Sequence, residues 1–147
     1  MIVTYSVSHP LILQVSELYD LRPDLLAAQV YAESAGDPWA FRYEHEYFER
    51  YVKDRPTVAG YKYGPLAACS FGLMQVLLET ALEHGFDGQP QQLFDERVGL
   101  TFGAKYLRYC LNATGGEYRR ALARYNGSGA RADAYATKVF TLREQFA

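Results

Sequence analysis

Apolar side chains along this chain recur mostly three and four residues apart, the spacing of a helix, and seldom alternate. Pro10 opens one such stretch, with Leu11, Ile12, Val15 and Leu18 at helical spacing, which predicts a helix over 10–19. Pro23 and Asp24, both suited to a first turn, open a second over 23–34, closed by "AGDP". The pattern returns over 76–84, ended by "HGFDG", and over 95–112, ended by "NATGG". It returns again over 117–125, broken by "NGSG", and finally over 131–145. Strand signals are weak throughout, so the expected class is mainly α. Residues 37–70 depart from this order. Pro38, Pro56, Gly60, Gly64 and Pro65 punctuate them around the run "FRYEHEYFERYVKDR". Part of that run suits a short helix, but the whole reads as a long irregular excursion. Excursions of that length in a compact domain are usually functional or flexible.

One residue breaks the pattern inside a helix. In "LLAAQVYAES", residues 25–34, Glu33 lies about 20° from Leu26 and about 60° from Val30 on the helical wheel. A carboxylate on an apolar stripe is costly to bury. Near a helix end it can bend to solvent or pair with an arginine and do nothing more. If it stays buried, desolvation favours its neutral form, and the negative end of the helix dipole pushes the same way. It is then a candidate general acid. On Glu33 alone both readings stand.

Composition narrows the setting. The 147 residues suffice for one domain, 1–147, with a real core, and 49% apolar with 22% charged residues is ordinary for a globular protein. A net charge of −2 gives no basic stripe for nucleic acid. The thirteen tyrosines suit half-buried packing and also a cleft for a sugar or peptide, whereas tryptophan occurs once, at Trp39. Cys69 and Cys110 form no metal-binding spacing, and either one disulfide or two free buried thiols fits them. No cofactor or metal is expected. The start "MIVTYSVSHPLILQ" lacks a basic region ahead of a long apolar run, so no signal peptide is expected. No stretch reaches about 18 apolar residues, so neither is a membrane span.

Three more short segments bear on Glu33. "SFGLMQ" at 70–75 sets a glycine between Phe71 and Leu73 and then enters what reads as a helix. "ALARYNGSG" at 121–129 ends a helix in Tyr125–Asn126–Gly127, a natural stop. Tyr135 follows on the last helix. In this order and spacing, "AESAGDPWA", "SFGLMQ", "RYNGSG" and "AYATKV" resemble the lytic transglycosylase and goose-type lysozyme superfamily, over roughly residues 11–145. The nearest likeness is to the catalytic domain of soluble lytic transglycosylases.

The resemblance implies a lysozyme-like helical domain in which the 37–70 excursion flanks a substrate cleft. It makes Glu33 the single catalytic acid, with Ser34 shaping the site by hydrogen bonding. Ser70, Gly72, Met74 and Gln75 would line the sugar cleft, Tyr125 and Asn126 would form the opposite wall, and Tyr135 would hold Glu33. The implied substrate is the peptidoglycan glycan strand, cleaved at the β-1,4 bond after N-acetylmuramic acid with closure of a 1,6-anhydro ring. Arg124 replaces the usual alanine before Tyr-Asn, and Glu44, Glu46 and Glu49 enrich the excursion in acids. Goose-type lysozymes position water with extra acids there, which makes Glu44 the candidate second acid of a hydrolase. A non-catalytic glycan-binding or structural component is the third reading. Without an export signal, the expected setting is a product made in the cytoplasm and acting on the bacterial wall. A bacteriophage protein, released at lysis or carried in the virion beside other virion proteins, fits that setting, as does a secretion-apparatus component.

Overall fold

Prolines set the starts of the first two helices. The computed structural model describes residues 4–54 and 58–146; Pro56 of the excursion lies outside the described residues. Helix α1 (Pro10–Tyr19) is capped by His9, whose Nδ1 accepts the Leu11 N–H at 3.1 Å, and Asp20 in the left-handed region ends it. Helix α2 (Pro23–Ser34) begins beside Asp24, whose carboxylate accepts the Leu25 N–H at 2.8 Å and pairs with Arg22 at 2.9 Å. It ends where Ala35 turns left-handed, donating its N–H to the Tyr31 carbonyl. Both spans are those expected from the sequence.

The chain divides into two compact units, and the boundary falls within the long helix α6 (Glu96–Ala113). The first unit holds the residues up to Gly36 and those from Ala104 onward. Here α7 (Tyr118–Asn126) packs on α8 (Ala130–Leu142), and α2 packs on both α1 and α8. A 3-10 turn, Arg143–Gln145, replaces the end of the helix expected to reach 145. All six residues from Leu25 to Val30 are buried. Thus over residues 25–30 α2 is enclosed on every side, not the one-sided stripe that the spacing of Leu26 and Val30 implies. Each fully enclosed leucine there contributes about 1.5–3 kcal/mol.

The second unit is Asp37–Gly103. What reads as an irregular excursion is largely ordered. It contains β1 (Phe41–Tyr43), α3 (His45–Tyr47) running into a π-helical turn Phe48–Val52, and α4 (Val58–Tyr63). A 3-10 turn, Gly64–Ala68, then leads into β2 (Cys69–Phe71). With β3 (Val76–Leu77) these strands form an antiparallel sheet in the order β1-β2-β3, pairing Phe41 with Phe71 and Phe71 with Val76. Consequently "SFGLMQ" is a strand and turn, not a helix entry. The helix expected over 76–84 shortens to α5 (Leu78–Glu83), because Val76 and Leu77 join the sheet. Cys69, Phe71, Val76, Leu78, Ala81, Phe86 and Leu93 form the core beneath. Among the described residues, no helix is long and apolar enough to cross a membrane, and no group of three or more His, Cys, Asp or Glu could hold a metal ion.

Candidate active site

Glu33 sits in the last turn of α2 and is half-buried, not enclosed. Helix α8 brings Tyr135 to it across 102 residues of sequence, and the Tyr135 hydroxyl donates to Glu33 Oε2 at 2.7 Å. Burial pushes the Tyr135 phenol well above its ordinary value of 10.0, and the negative charge of Glu33 adds to the rise. Tyr125 of α7 is held up in the same way, by burial first and then by Glu33. Both side chains keep part of their surface in solvent, yet both hydroxyls remain protonated donors over any ordinary pH range. Ser34 spends its hydroxyl on the helix end. It donates to the Val30 carbonyl at 3.1 Å and accepts the Gly36 N–H at 3.2 Å. Asn126 is exposed at the end of α7. Arg124 lies over the Tyr109 ring at 5.8 Å, which gives the departure from alanine a packing role on the surface.

The other expected residues belong to the second unit. Gly72 has φ +75°, and its N–H donates to the Ala40 carbonyl at 2.8 Å. The Gln75 amide also donates to that carbonyl, at 3.1 Å, and to the Gly72 carbonyl at 3.2 Å. The Gln75 –NH2 group therefore ties the 72–75 turn to the chain before β1. Met74 is fully enclosed and occupies the space that a side chain on Gly103 would need. Ser70 is buried, and its hydroxyl donates to Glu44 Oε1 at 3.2 Å. Glu44 is half-buried and anchored, where a charged loop would leave it solvated.

Two residues to which the sequence assigns no role stand out in the structure. Trp39 is 73% exposed, and with Phe41 it packs on Phe94, on either side of the Ala40 carbonyl that carries the turn. Gln29, a polar residue inside "LLAAQVYAES", is fully buried one helical turn before Glu33. Its place in an all-apolar run was the available signal.

Both cysteines are free and buried. Burial raises the Cys69 thiol, with Glu44 adding to it, and raises the Cys110 thiol to about 11. Tyr106, which packs on Tyr125 at 5.0 Å, is raised by burial to about 12. These acids ionise more readily in the unfolded chain. Their contribution to stability is therefore full below about pH 9 and is lost as pH rises toward 12. The urea midpoint is expected to hold from pH 7 to 8.5 and to fall steadily above 9. Both thiols are expected to resist iodoacetamide at pH 8 until urea unfolds the chain.

A helical domain with a half-buried glutamate closing its central helix, held by a tyrosine from a later helix, has the lysozyme-like fold. The chain belongs to the family described as "Transglycosylase SLT domain", whose model matches residues 10–145. Two solved structures share the fold. A complex of the 70-kDa soluble lytic transglycosylase with bulgecin A matches 90% of this chain at 19% identity, with a TM-score of 0.59. The 70-kDa soluble lytic transglycosylase from Escherichia coli matches 88% at 20% identity, with a TM-score of 0.57. This chain spans 18% of the length of each. Comparison with curated proteins returns no match.

Proposed function

We propose that the protein is a peptidoglycan lytic transglycosylase with Glu33 as its single acid and base. The observation that carries the reading is the hydrogen bond from Tyr135 to Glu33, in a chain of this family. Glycosidases of the usual kind need two carboxylates. One suffices when the substrate supplies its own nucleophile. Neutral Glu33 gives its proton to the β-1,4 oxygen as the C1–O bond breaks, and the N-acetyl group of the muramic residue stabilises the cation. The carboxylate then takes the proton of the C6 hydroxyl of the same residue as that oxygen bonds to C1. The acid is regenerated and no water is consumed. Holding that hydroxyl within reach of C1 supplies much of the rate. Tyr135 keeps the carboxylate aimed through both proton transfers.

Mass spectrometry of digested peptidoglycan tests this reading. Muropeptides lighter than hydrolysed ones by one water are expected, and reducing ends alone would overturn it. A second reading, hydrolysis with Glu44 as the second acid, draws on the Ser70–Glu44 hydrogen bond, which anchors that side chain. Under hydrolysis, Glu44→Gln removes nearly all activity. Under transglycosylation it lowers the rate less than threefold, the expected result, since no proton then passes through Glu44.

Trp39 offers a direct binding signal, being the one tryptophan in the chain. Its exposed ring, beside the turn that carries Gln75, suits stacking on a sugar face. Glycan fragments are expected to shift its fluorescence. Trp39→Ala is expected to weaken binding about tenfold, as loss of one aromatic contact does. An unchanged emission spectrum at saturating glycan would remove Trp39 from the substrate path.

A further inference from the structure

Gln29 is wholly enclosed in α2, with 0% of its surface exposed. Neither its amide oxygen nor its nitrogen makes a hydrogen bond of ordinary geometry. An amide buried in that way costs about 1–3 kcal/mol, and a leucine of similar length would avoid the cost. Stability alone therefore argues against glutamine at this position.

The amide lies one helical turn before the carboxylate that Tyr135 holds. Gln29 precedes Glu33 by four residues and so lies on the same side of α2. On that side Tyr135 donates to Glu33. Although no hydrogen bond of ordinary geometry joins Gln29 to Tyr135, the amide lowers the phenol against the larger rise from burial and Glu33, the direction a donor beside the oxygen gives. That hydroxyl has one proton, which goes to Glu33 Oε2. Its oxygen can still accept. A donor behind the oxygen keeps the proton directed at the carboxylate and strengthens the bond. Turned the other way, the Gln29 carbonyl would compete for the same proton.

We propose that Gln29 is a positioning residue that acts through Tyr135, holding its hydroxyl as a donor to Glu33. The proposal rests on the transglycosylase reading for its effect on turnover and, for its geometry, on the enclosed Gln29 amide one turn from Glu33 and on the Tyr135–Glu33 hydrogen bond. The charged and titratable groups acting on Tyr135 are Glu33 from α2 and Tyr125 from α7. Those acting on Tyr125 are Glu33 again, with Tyr106 and Cys110 of α6. Gln29 thus carries no charge of its own into the site and works only by direction.

Gln29→Leu and Gln29→Met are the test, in wild-type and Tyr135→Phe backgrounds. A melting temperature equal to or above wild type is expected. KM should stay within twofold, while kcat falls about tenfold, the effect of weakening one charge-assisted hydrogen bond. The alkaline limb of the kcat/KM profile should move to higher pH, because the carboxylate loses stabilisation. In the Tyr135→Phe background neither substitution should change kcat further. A wild-type kcat and pH profile in both variants would overturn the proposal, and so would an equal loss without the Tyr135 hydroxyl. If the wild-type protein cleaves no peptidoglycan, the transglycosylase reading fails instead. The 13Cζ resonance of Tyr135 then decides, since it reads the hydroxyl's hydrogen bonding without turnover. It should shift in Gln29→Leu, and an unchanged resonance overturns the inference.

Discussion

Glu33→Gln is expected to reduce release of anhydro-muropeptides by at least about three orders of magnitude, at the upper part of the range for losing a general acid–base group. The size of the effect follows from double use of one group. An amide can neither protonate the departing oxygen nor accept the proton of the C6 hydroxyl, so both transfers fail together. Folding should be nearly untouched. Glu33 is half-buried at a helix end, and the amide oxygen of a glutamine can still accept from the Tyr135 hydroxyl. The melting temperature should therefore stay within about 2 °C of wild type, a stability change under about 1 kcal/mol for a chain of this size. Glycan binding, read from Trp39 fluorescence, should persist, since a glutamine keeps the shape of the site. An active Glu33→Gln protein would refute the single-acid mechanism. A dead but poorly folded one would mean that Glu33 serves the fold instead.

The long helices were legible because their own residues decide them. Pro10, Pro23 and Asp24 start α1 and α2 by local chemistry, and the ends follow within a residue or two. The sheet was not legible. Strands of two or three residues are too short to display alternation, and Val76–Leu77 joins a partner instead of the helix that its spacing suggests. Register between Phe41 and Phe71 depends on a pairing thirty residues apart, which periodicity does not carry. Glu33 does not extend a one-sided apolar stripe, which is what the spacing of Leu26 and Val30 suggests. Over residues 25–30 the helix is buried all round, and the anomalous polar residue there is Gln29. Tyr135 could not be linked to Glu33 from spacing at all; only the resemblance put them together, and the hydrogen bond gives that link a distance.

The same limit governs "SFGLMQ". Read as a motif, its glycine makes room for a ligand; in the fold, it makes room for the protein's own backbone. A Cβ on residue 72 would lie 2.6 Å from the Leu93 carbonyl oxygen, and φ there is +75°. Gly72→Ala is accordingly expected to destabilise the protein by about 3 kcal/mol. Roughly 1–2 of that is left-handed strain, and the rest comes from moving backbone that does not yield easily. The Leu93 oxygen has little freedom to retreat, because a Cβ on Gly99 would approach it equally closely. At about 2–4 °C per kcal/mol for a chain of this length, the melting temperature should fall by about 10 °C. Gly64→Ala is the control. Gly64 also has positive φ, +57°, but a Cβ there meets nothing within 4 Å, so only the strain of about 1–2 kcal/mol should appear. Were Gly72 kept chiefly for substrate, Gly72→Ala would melt like wild type while losing affinity for glycan. A fall well beyond that of Gly64→Ala assigns the glycine to the frame on which Gln75 and Ala40 meet.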